Sequence, residues 1–142
     1  MKKITFLLLS IILFSCDEQV EEIQEKASLF TIYNKSSHTV DIIELRPTLE
    51  TIKNEYHIAV DDSVSIMTPR EEHIKLPFGS GEIYVVFDDT IKANITTSEN
   101  AMFLDISNYK INYETEYYVS RRYTITDTDY DMVVETVNKS KE

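Results

Sequence analysis

The stretch FTIYNKSSHTVDIIEL, residues 30–45, decides the fold class of this chain. In its first half, Phe30 and Ile32 alternate with the more polar Thr31 and Tyr33, and residues 40–45 form a second strand-like run. Such alternation is typical of strands that bury one face, because successive side chains point to opposite sides of a sheet. The polar residues 34–37 indicate a turn, so the stretch predicts a β-hairpin.

The same pattern continues along the chain. A third run places Tyr56, Ile58 and Val60 on one face, and a turn at 61–62 leads to a fourth. A long loop is expected at 69–81, which holds both glycines and two of the three prolines. The fourth run is at 64–66, and three more follow at 83–87, 91–95 and 117–126. The turn at 88–90 predicts a second hairpin. About seven strands in hairpins predict a mainly β fold, an antiparallel β-sandwich.

The hydropathy period changes near the C-terminus. In TDTDYDMVVETVN, residues 126–138, Thr126 followed by Asp129 forms the S/T-x-x-D/E pattern that caps a helix. Acidic side chains in the first turn favour the positive end of the helix dipole. We therefore expect a C-terminal helix of about three turns. The residues expected to pack on the sheet are Tyr130, Val133, Val134 and Val137.

An excess of acidic residues restricts the partners of the protein. The 142 residues are enough for one domain with an ordinary core, and they include 25 Asp and Glu against 14 Lys and Arg. Residues 1–15 hold two of those lysines and no acid, so the rest of the chain carries a formal charge of -13. Such a surface repels phosphate backbones and anionic lipid headgroups, which argues against nucleic acid as a partner and against a basic patch that adsorbs to membranes. Any charged partner is expected to be cationic.

The single cysteine follows a signal-peptide pattern. Two lysines precede an apolar run at 4–14, which as a helix of about 16 Å is too short to cross a hydrocarbon core of about 30 Å. The sequence LFSC at 13–16 resembles the lipobox of bacterial lipoproteins. The resemblance implies cleavage between Ser15 and Cys16 and attachment of a diacylglycerol to the Cys16 thiol. The alternative is a secreted protein whose lone cysteine lies at the cleavage site by chance.

An acidic segment follows the predicted lipidation site. Residues 17–26, DEQVEEIQEK, hold five acids and little that builds a core, which is typical of a solvated, flexible tether. An acidic run in this place resembles the signal that sends Bacteroidetes lipoproteins to the outer face of the outer membrane. In enteric bacteria, an aspartate there implies retention at the inner membrane instead. The predicted organisation is a signal peptide at 1–15, lipidated cysteine and tether at 16–27, and a β-sandwich domain with the helix at 28–142.

Three stretches of the domain resemble parts of small uncharacterised Bacteroidetes lipoproteins. They are DSV at 62–64, VVFDDTIK at 85–92 and YTITDTDY at 123–130. The resemblance implies a lipid anchor in the cell envelope and a β-rich domain. It implies no catalytic residue, because the family has no established activity.

No motif indicates an enzyme or a metal site. The D-x-D-x-D pattern at 127–131 resembles an EF-hand opening, but Met132 and Asn138 occupy the positions where calcium requires glycine and glutamate. With one cysteine, neither an internal disulfide nor a CxxC zinc site can form. Three histidines lie in separate segments, His38, His57 and His73. We therefore predict no catalytic residue, no metal and no cofactor.

Two further features concern the surface. Five tyrosines within fifteen residues form either a platform for a glycan or protein, or ordinary half-buried strand positions: Tyr109, Tyr113, Tyr117, Tyr118 and Tyr123. The triplets at 62–64 and 89–91 resemble the D-S/T-aliphatic acceptor of Bacteroidetes O-glycosylation. That resemblance makes Ser63 and Thr90 candidate glycosylation sites.

Three functional hypotheses follow. The leading one is a non-enzymatic, lipid-anchored cell-envelope protein whose sandwich binds a protein or glycan. The second is an inhibitor or immunity protein that neutralises a cationic toxin or a lysozyme-like enzyme. The third is a hydrolase, which requires carboxylates that cluster in a pocket.

Overall fold

The computed structural model describes residues 26–47, 51–69, 76–78, 81–97 and 101–141. The predicted signal peptide and Cys16 lie outside these residues. The strands are Ala27–Asn34 (β1), Val40–Leu45 (β2), Ile52–Ile58 (β3), Ser63–Thr68 (β4), Ile83–Phe87 (β5), Ile91–Asn94 (β6), Lys110–Glu114 (β7) and Tyr118–Ile125 (β8). Two 3-10 turns, Met102–Leu104 and Ile106–Asn108, follow β6, and the helix α1 spans Asp127–Lys139.

The strands form two four-stranded sheets, with orders β4-β1-β8-β7 and β3-β2-β5-β6. Burial alternates strictly along β1 and β2, as expected where one face packs on the core. The largest fully buried apolar side chains are Phe30, Ile32, Ile42, Ile58, Ile83, Phe87, Phe103 and Ile125. The prediction of a mainly β sandwich with a C-terminal helix is therefore confirmed, and the described residues form eight strands where about seven were expected.

The strand that the sequence did not reveal is β7. All five of its residues are exposed, and its pairing with β8 is irregular between Ile111 and Tyr113. An edge strand with no buried face lacks the in-out contrast by which strands are recognised.

The predicted hairpin at 30–45 is wrong, because β1 and β2 belong to different sheets. β1 pairs with β4 and, in parallel, with β8, whereas β2 pairs with β3 and β5. Residues 35–39, here called the crossing segment, run from one sheet to the other. Paired strands lie about 4.8 Å apart and packed sheets about 10 Å apart, so a five-residue connection suits the wider gap. The turn at 61–62 likewise joins strands of different sheets, β3 and β4.

Two smaller boundaries also differ from the expectation. β3 ends at Ile58, and Val60 lies in the following turn with 45% of its surface exposed. β8 begins at Tyr118, so Tyr117 is a turn residue, 64% exposed. The β5–β6 hairpin is confirmed, and its turn holds Asp88 and Asp89 at φ 48° and 60°, a region that aspartate tolerates better than most residues.

The predicted helix start at Thr126 is confirmed. Asp129 Oδ2 accepts hydrogen bonds from the Thr126 backbone N–H at 2.8 Å and from its hydroxyl at 3.1 Å. Asp129 Oδ1 accepts a further bond from the Tyr123 hydroxyl at 2.6 Å. Burial, followed by this bond, raises the pKa of Tyr123, so the phenol remains protonated as a donor. The carboxylate that caps α1 thus also connects the helix to β8.

Asp129→Ala is expected to lower the free energy of unfolding by about 2 kcal/mol, because the buried hydroxyl of Tyr123 and the part-buried N–H of Thr126 lose their acceptor. Thr126→Ala removes only the capping hydroxyl and is expected to cost about 1 kcal/mol. Asp131→Ala, an exposed acid two residues along the helix, is the matched control and is expected to cost less than about 0.5 kcal/mol. Urea unfolding followed by circular dichroism measures all three. Equal losses for the two aspartates would contradict the role assigned to Asp129.

Candidate functional site

One end of the sandwich is formed by the crossing segment and three segments that meet around it. These three are the turn at 59–62, the turn at 88–90 and the start of α1. We call this the acidic end, because its exposed aspartates are Asp61, Asp62, Asp88, Asp89 and Asp127. Lys35 is the only lysine or arginine in these segments.

Asp88 connects the β5–β6 turn to the crossing segment. Its Oδ2 lies 2.5 Å from His38 Nδ1, and its Oδ1 accepts the Thr39 backbone N–H at 3.0 Å. The hydrogen bond to His38 is the main reason that the pKa of Asp88 lies below its ordinary value. The His38 ring in turn stacks on Tyr130 of α1, with ring centroids 3.7 Å apart. His38 therefore joins the turn, the crossing segment and the helix.

Two more aspartates attach to the crossing segment from other sides. Asp61 Oδ1 lies 2.5 Å from Lys35 Nζ. Asp127 Oδ1 accepts the Ser37 backbone N–H at 2.7 Å and its hydroxyl at 2.9 Å, and these bonds lower the pKa of Asp127. Because folding lowers the pKa values of Asp88 and Asp127, their contribution to stability is present above the unfolded pKa near 4 and is lost as the pH falls through the folded values.

Asn34 holds the crossing segment from inside the sandwich, where the side chain is fully buried. Its Nδ2 donates to the carbonyls of His38, Ile58 and Ala59 at 2.8, 3.1 and 3.2 Å. Its Oδ1 accepts the backbone N–H and the hydroxyl of Ser36 at 3.0 and 2.7 Å. One amide thus satisfies polar groups of two connections between the sheets, the crossing segment and the turn at 59–62, and so positions the turn that carries Asp61 and Asp62.

The described chain begins at the opposite end of the sandwich, here called the N-terminal end. β1 starts there, and the Ala27 N–H donates to the Tyr117 carbonyl at 3.1 Å. Eight residues of β1 rise about 26 Å to the acidic end. The point where the predicted tether joins the domain is therefore separated from the aspartates by the length of the sandwich.

The structure places both candidate glycosylation residues at the acidic end. Ser63 is the first residue of β4, and Thr90 closes the β5–β6 turn; both are exposed. Asp62 accepts the Ser63 backbone N–H at 2.7 Å, so the acid of that triplet also shapes the turn. Ser15 and Cys16 lie outside the described residues, and whether Ser63 and Thr90 carry glycans stays a prediction.

The five clustered tyrosines divide into two groups. Tyr109 and Tyr123 are buried in the core, and the Tyr109 hydroxyl donates to the Phe103 carbonyl at 2.9 Å. Tyr113, Tyr117 and Tyr118 are at least partly exposed and lie at the N-terminal end, where the hydroxyls of Tyr113 and Tyr118 are 2.7 Å apart. A platform built from all five rings is therefore not formed.

Glu44 is a buried carboxylate that the sequence patterns did not predict. It points into the core from β2, in phase with Val40 and Ile42, and is 0% exposed. Lys53 Nζ and Asn54 Nδ2 of β3 lie 2.8 and 2.6 Å from its two oxygens. An acid in step with the apolar positions of a strand was the signal that would have found it.

The histidines and aspartates considered above as metal ligands do not come together at one site. Asp127 and Asp129 bond to different partners, and His57 pairs with Asp41 at 2.6 Å on the outside of the second sheet. Among the described residues, no three His, Cys, Asp or Glu side chains meet in a way that suits a metal ion. His73 lies outside that part of the chain.

The acidic end is suited to binding cations by charge. Four of its five carboxylates, those of Asp61, Asp62, Asp88 and Asp127, are held by backbone or side-chain donors, and Asp89 is exposed beside them. Preorganised carboxylates form charge-assisted hydrogen bonds with lysine and arginine.

Within the described residues, no helix has the length and hydropathy needed to cross a membrane. Comparison of the chain with models of known protein families and with curated protein sequences found no match.

Proposed function

We propose that this protein is a lipid-anchored, non-enzymatic binding module of the cell envelope that presents its acidic end to a cationic protein. Cys16 carries the lipid, and residues 16–27 connect it to the N-terminal end of the sandwich. The outer membrane, with the domain at the cell surface, is the proposed location.

The observation that carries this proposal is the opposite placement of the two ends. The predicted attachment joins the domain beside Ala27, whereas the five exposed aspartates lie about 26 Å away along β1. A domain attached in this way leaves its acidic end free for a partner. The exposed tyrosines lie at the other end, so the acidic end favours a basic protein over a glycan.

The inhibitor or immunity hypothesis is the second candidate, and the same aspartates support it. Toxins and lysozyme-like enzymes with basic surfaces are complementary to a rigid end that carries five acids and one lysine. Asp61, Asp88 and Asp127 are already ordered by their contacts with the crossing segment, so binding would require little further loss of side-chain freedom.

Asp62→Asn combined with Asp89→Asn is expected to slow association with a basic c-type lysozyme by roughly threefold or more at low salt, because opposite charges steer the encounter. Asparagine retains the shape and tolerates the positive φ of Asp89. The matched control is Glu55→Gln with Glu116→Gln, which removes two exposed charges elsewhere. Association rates are measured by biolayer interferometry from low to physiological salt, and added salt should reduce the difference.

Equal slowing by both double variants would show that net charge, not the acidic end, governs the encounter. If lysozyme and other basic envelope proteins do not bind at low salt, the acidity serves solubility alone.

A further inference from the structure

Among the described residues, the outward-facing strand positions of the first sheet hold no acid, although the protein is strongly acidic. Strand register places thirteen described residues on this face, opposite the buried Phe30 and Ile32. They are Ala27, Leu29, Thr31 and Tyr33 of β1, Ser63, Ser65 and Met67 of β4, Lys110 and Tyr113 of β7, and Tyr118, Ser120, Arg122 and Thr124 of β8. The only charged residues among them are the basic Lys110 and Arg122.

The apolar members of this face gather near the N-terminal end. Met67 pairs with Leu29, Leu29 with Ser120, and Ser120 with Tyr113, which forms a continuous row across all four strands. Tyr118 lies beside the row, and Tyr117 lies in the adjoining turn. We call Leu29, Met67, Tyr113, Tyr117 and Tyr118 the tyrosine patch.

The tyrosine patch is accessible and closely packed. Met67, Tyr113 and Tyr117 are 62%, 44% and 64% exposed, yet Ser120 in the middle of the row is only 4% exposed. The neighbouring side chains therefore close over the serine and form a continuous surface. Arg122, whose guanidinium lies 5.9 Å from the Tyr33 ring centre, borders the row on the side of the acidic end.

We propose that the tyrosine patch rests on the bilayer to which the protein is anchored. This inference depends on the proposed lipid at Cys16. Ala27 belongs to the same face, and the ten residue-to-residue steps from Cys16 to Lys26 reach at most about 35 Å in any conformation. The lipid thus holds this face within reach of the membrane, so a weak affinity is sufficient for contact.

The chemistry of the face suits the interfacial region of a bilayer. Tyrosine rings partition to the headgroup level, where the ring is buried and the hydroxyl stays hydrated. Lys110 and Arg122 are positioned to approach lipid phosphates, and the described strand positions of this face hold no carboxylate, although the exposed Glu116 adjoins Tyr117 in the turn. The contact involves the N-terminal half of the face, so the acidic end stays directed away from the membrane.

The protein contains no tryptophan, so single introduced tryptophans report on this contact. The full lipidated chain carrying Tyr117→Trp is reconstituted in phosphatidylcholine vesicles with brominated acyl chains. We expect bromine to reduce its emission about twofold, because the ring lies at the interface. Val60→Trp, at an exposed apolar position at the acidic end, is the matched control and should keep its emission. Met67→Ser with Tyr113→Ser, added to Tyr117→Trp, should restore most of the lost signal.

Flotation with the vesicles separates the inference from the anchor on which it rests. Protein that floats but shows no quenching at position 117, or equal quenching at positions 60 and 117, overturns the membrane contact and leaves the anchor intact. Protein that does not float overturns the anchor and the contact together. An emission change at position 117 that depends on protein concentration in bromine-free vesicles would assign the patch to a second copy of the chain and overturn the proposal.

Discussion

Cys16→Ala is expected to abolish labelling of the protein by fatty acids and to leave residues 1–15 attached. Cys16 is the only thiol in the sequence, so no other residue can accept a thioether-linked diacylglycerol. Metabolic labelling with a fatty-acid analogue and the intact mass of the purified protein measure the two effects. Ser15→Ala is the matched control, because alanine preserves the small residue before the cleavage site, and its labelling should be unchanged.

The loss of the lipid should also release the protein from membranes. Each buried methylene of an acyl chain contributes about 0.8 kcal/mol, so two or three chains hold a protein on a bilayer from which a single chain would exchange. Labelling that persists in Cys16→Ala would refute the anchor.

Asn34→Ala is expected to lower the free energy of unfolding by about 3 kcal/mol or more. The substitution removes a buried amide that satisfies three carbonyls and two donors of Ser36, and each buried polar group left without a partner costs about 1–3 kcal/mol. Asn94→Ala is the control, because the Asn94 side chain accepts one exposed hydrogen bond, from the Thr96 backbone N–H, and its loss should cost about 0.5–1 kcal/mol. Urea unfolding measures both variants.

Asn34→Asp tests the donor half of the amide separately. Aspartate keeps the shape and the acceptor for Ser36, but its second oxygen faces the three carbonyls that Nδ2 served. We expect Asn34→Asp to destabilise the protein at neutral pH at least as much as Asn34→Ala, because a buried carboxylate beside carbonyls is unsatisfied. A stability like that of the unchanged protein would contradict the role assigned to the Nδ2 bonds.

Local patterns predicted the elements well where each strand has one buried face. Phe30 and Ile32 alternate with polar neighbours and are buried as expected, and Thr126 with Asp129 marked the helix start to the residue. These features depend on contacts between neighbours in sequence, which a single sequence displays. β7 escaped because an exposed edge strand has no buried face.

The partners of each strand depend on contacts that local sequence does not record. The polar residues 34–37 suit a hairpin turn as well as a crossing between sheets. The crossing is formed because β1 pairs in parallel with β8, a strand more than eighty residues away. The same contacts turn Asn34 and Asp129 from turn and cap residues into buried connections between elements.

The sequence alone thus determined the β class of the domain, its acidic charge and the helix cap, and it predicts lipidation at Cys16. Each of these depends on composition or on the spacing of residues close together in the chain. Only the tertiary structure decided that the exposed aspartates of three separate segments meet at one end, and that β1 begins at the other. It also brought Met67, Leu29 and Tyr113 into one row on a face whose described strand positions hold no acid. Those arrangements arise from strand register and sheet packing, which join residues far apart in the chain.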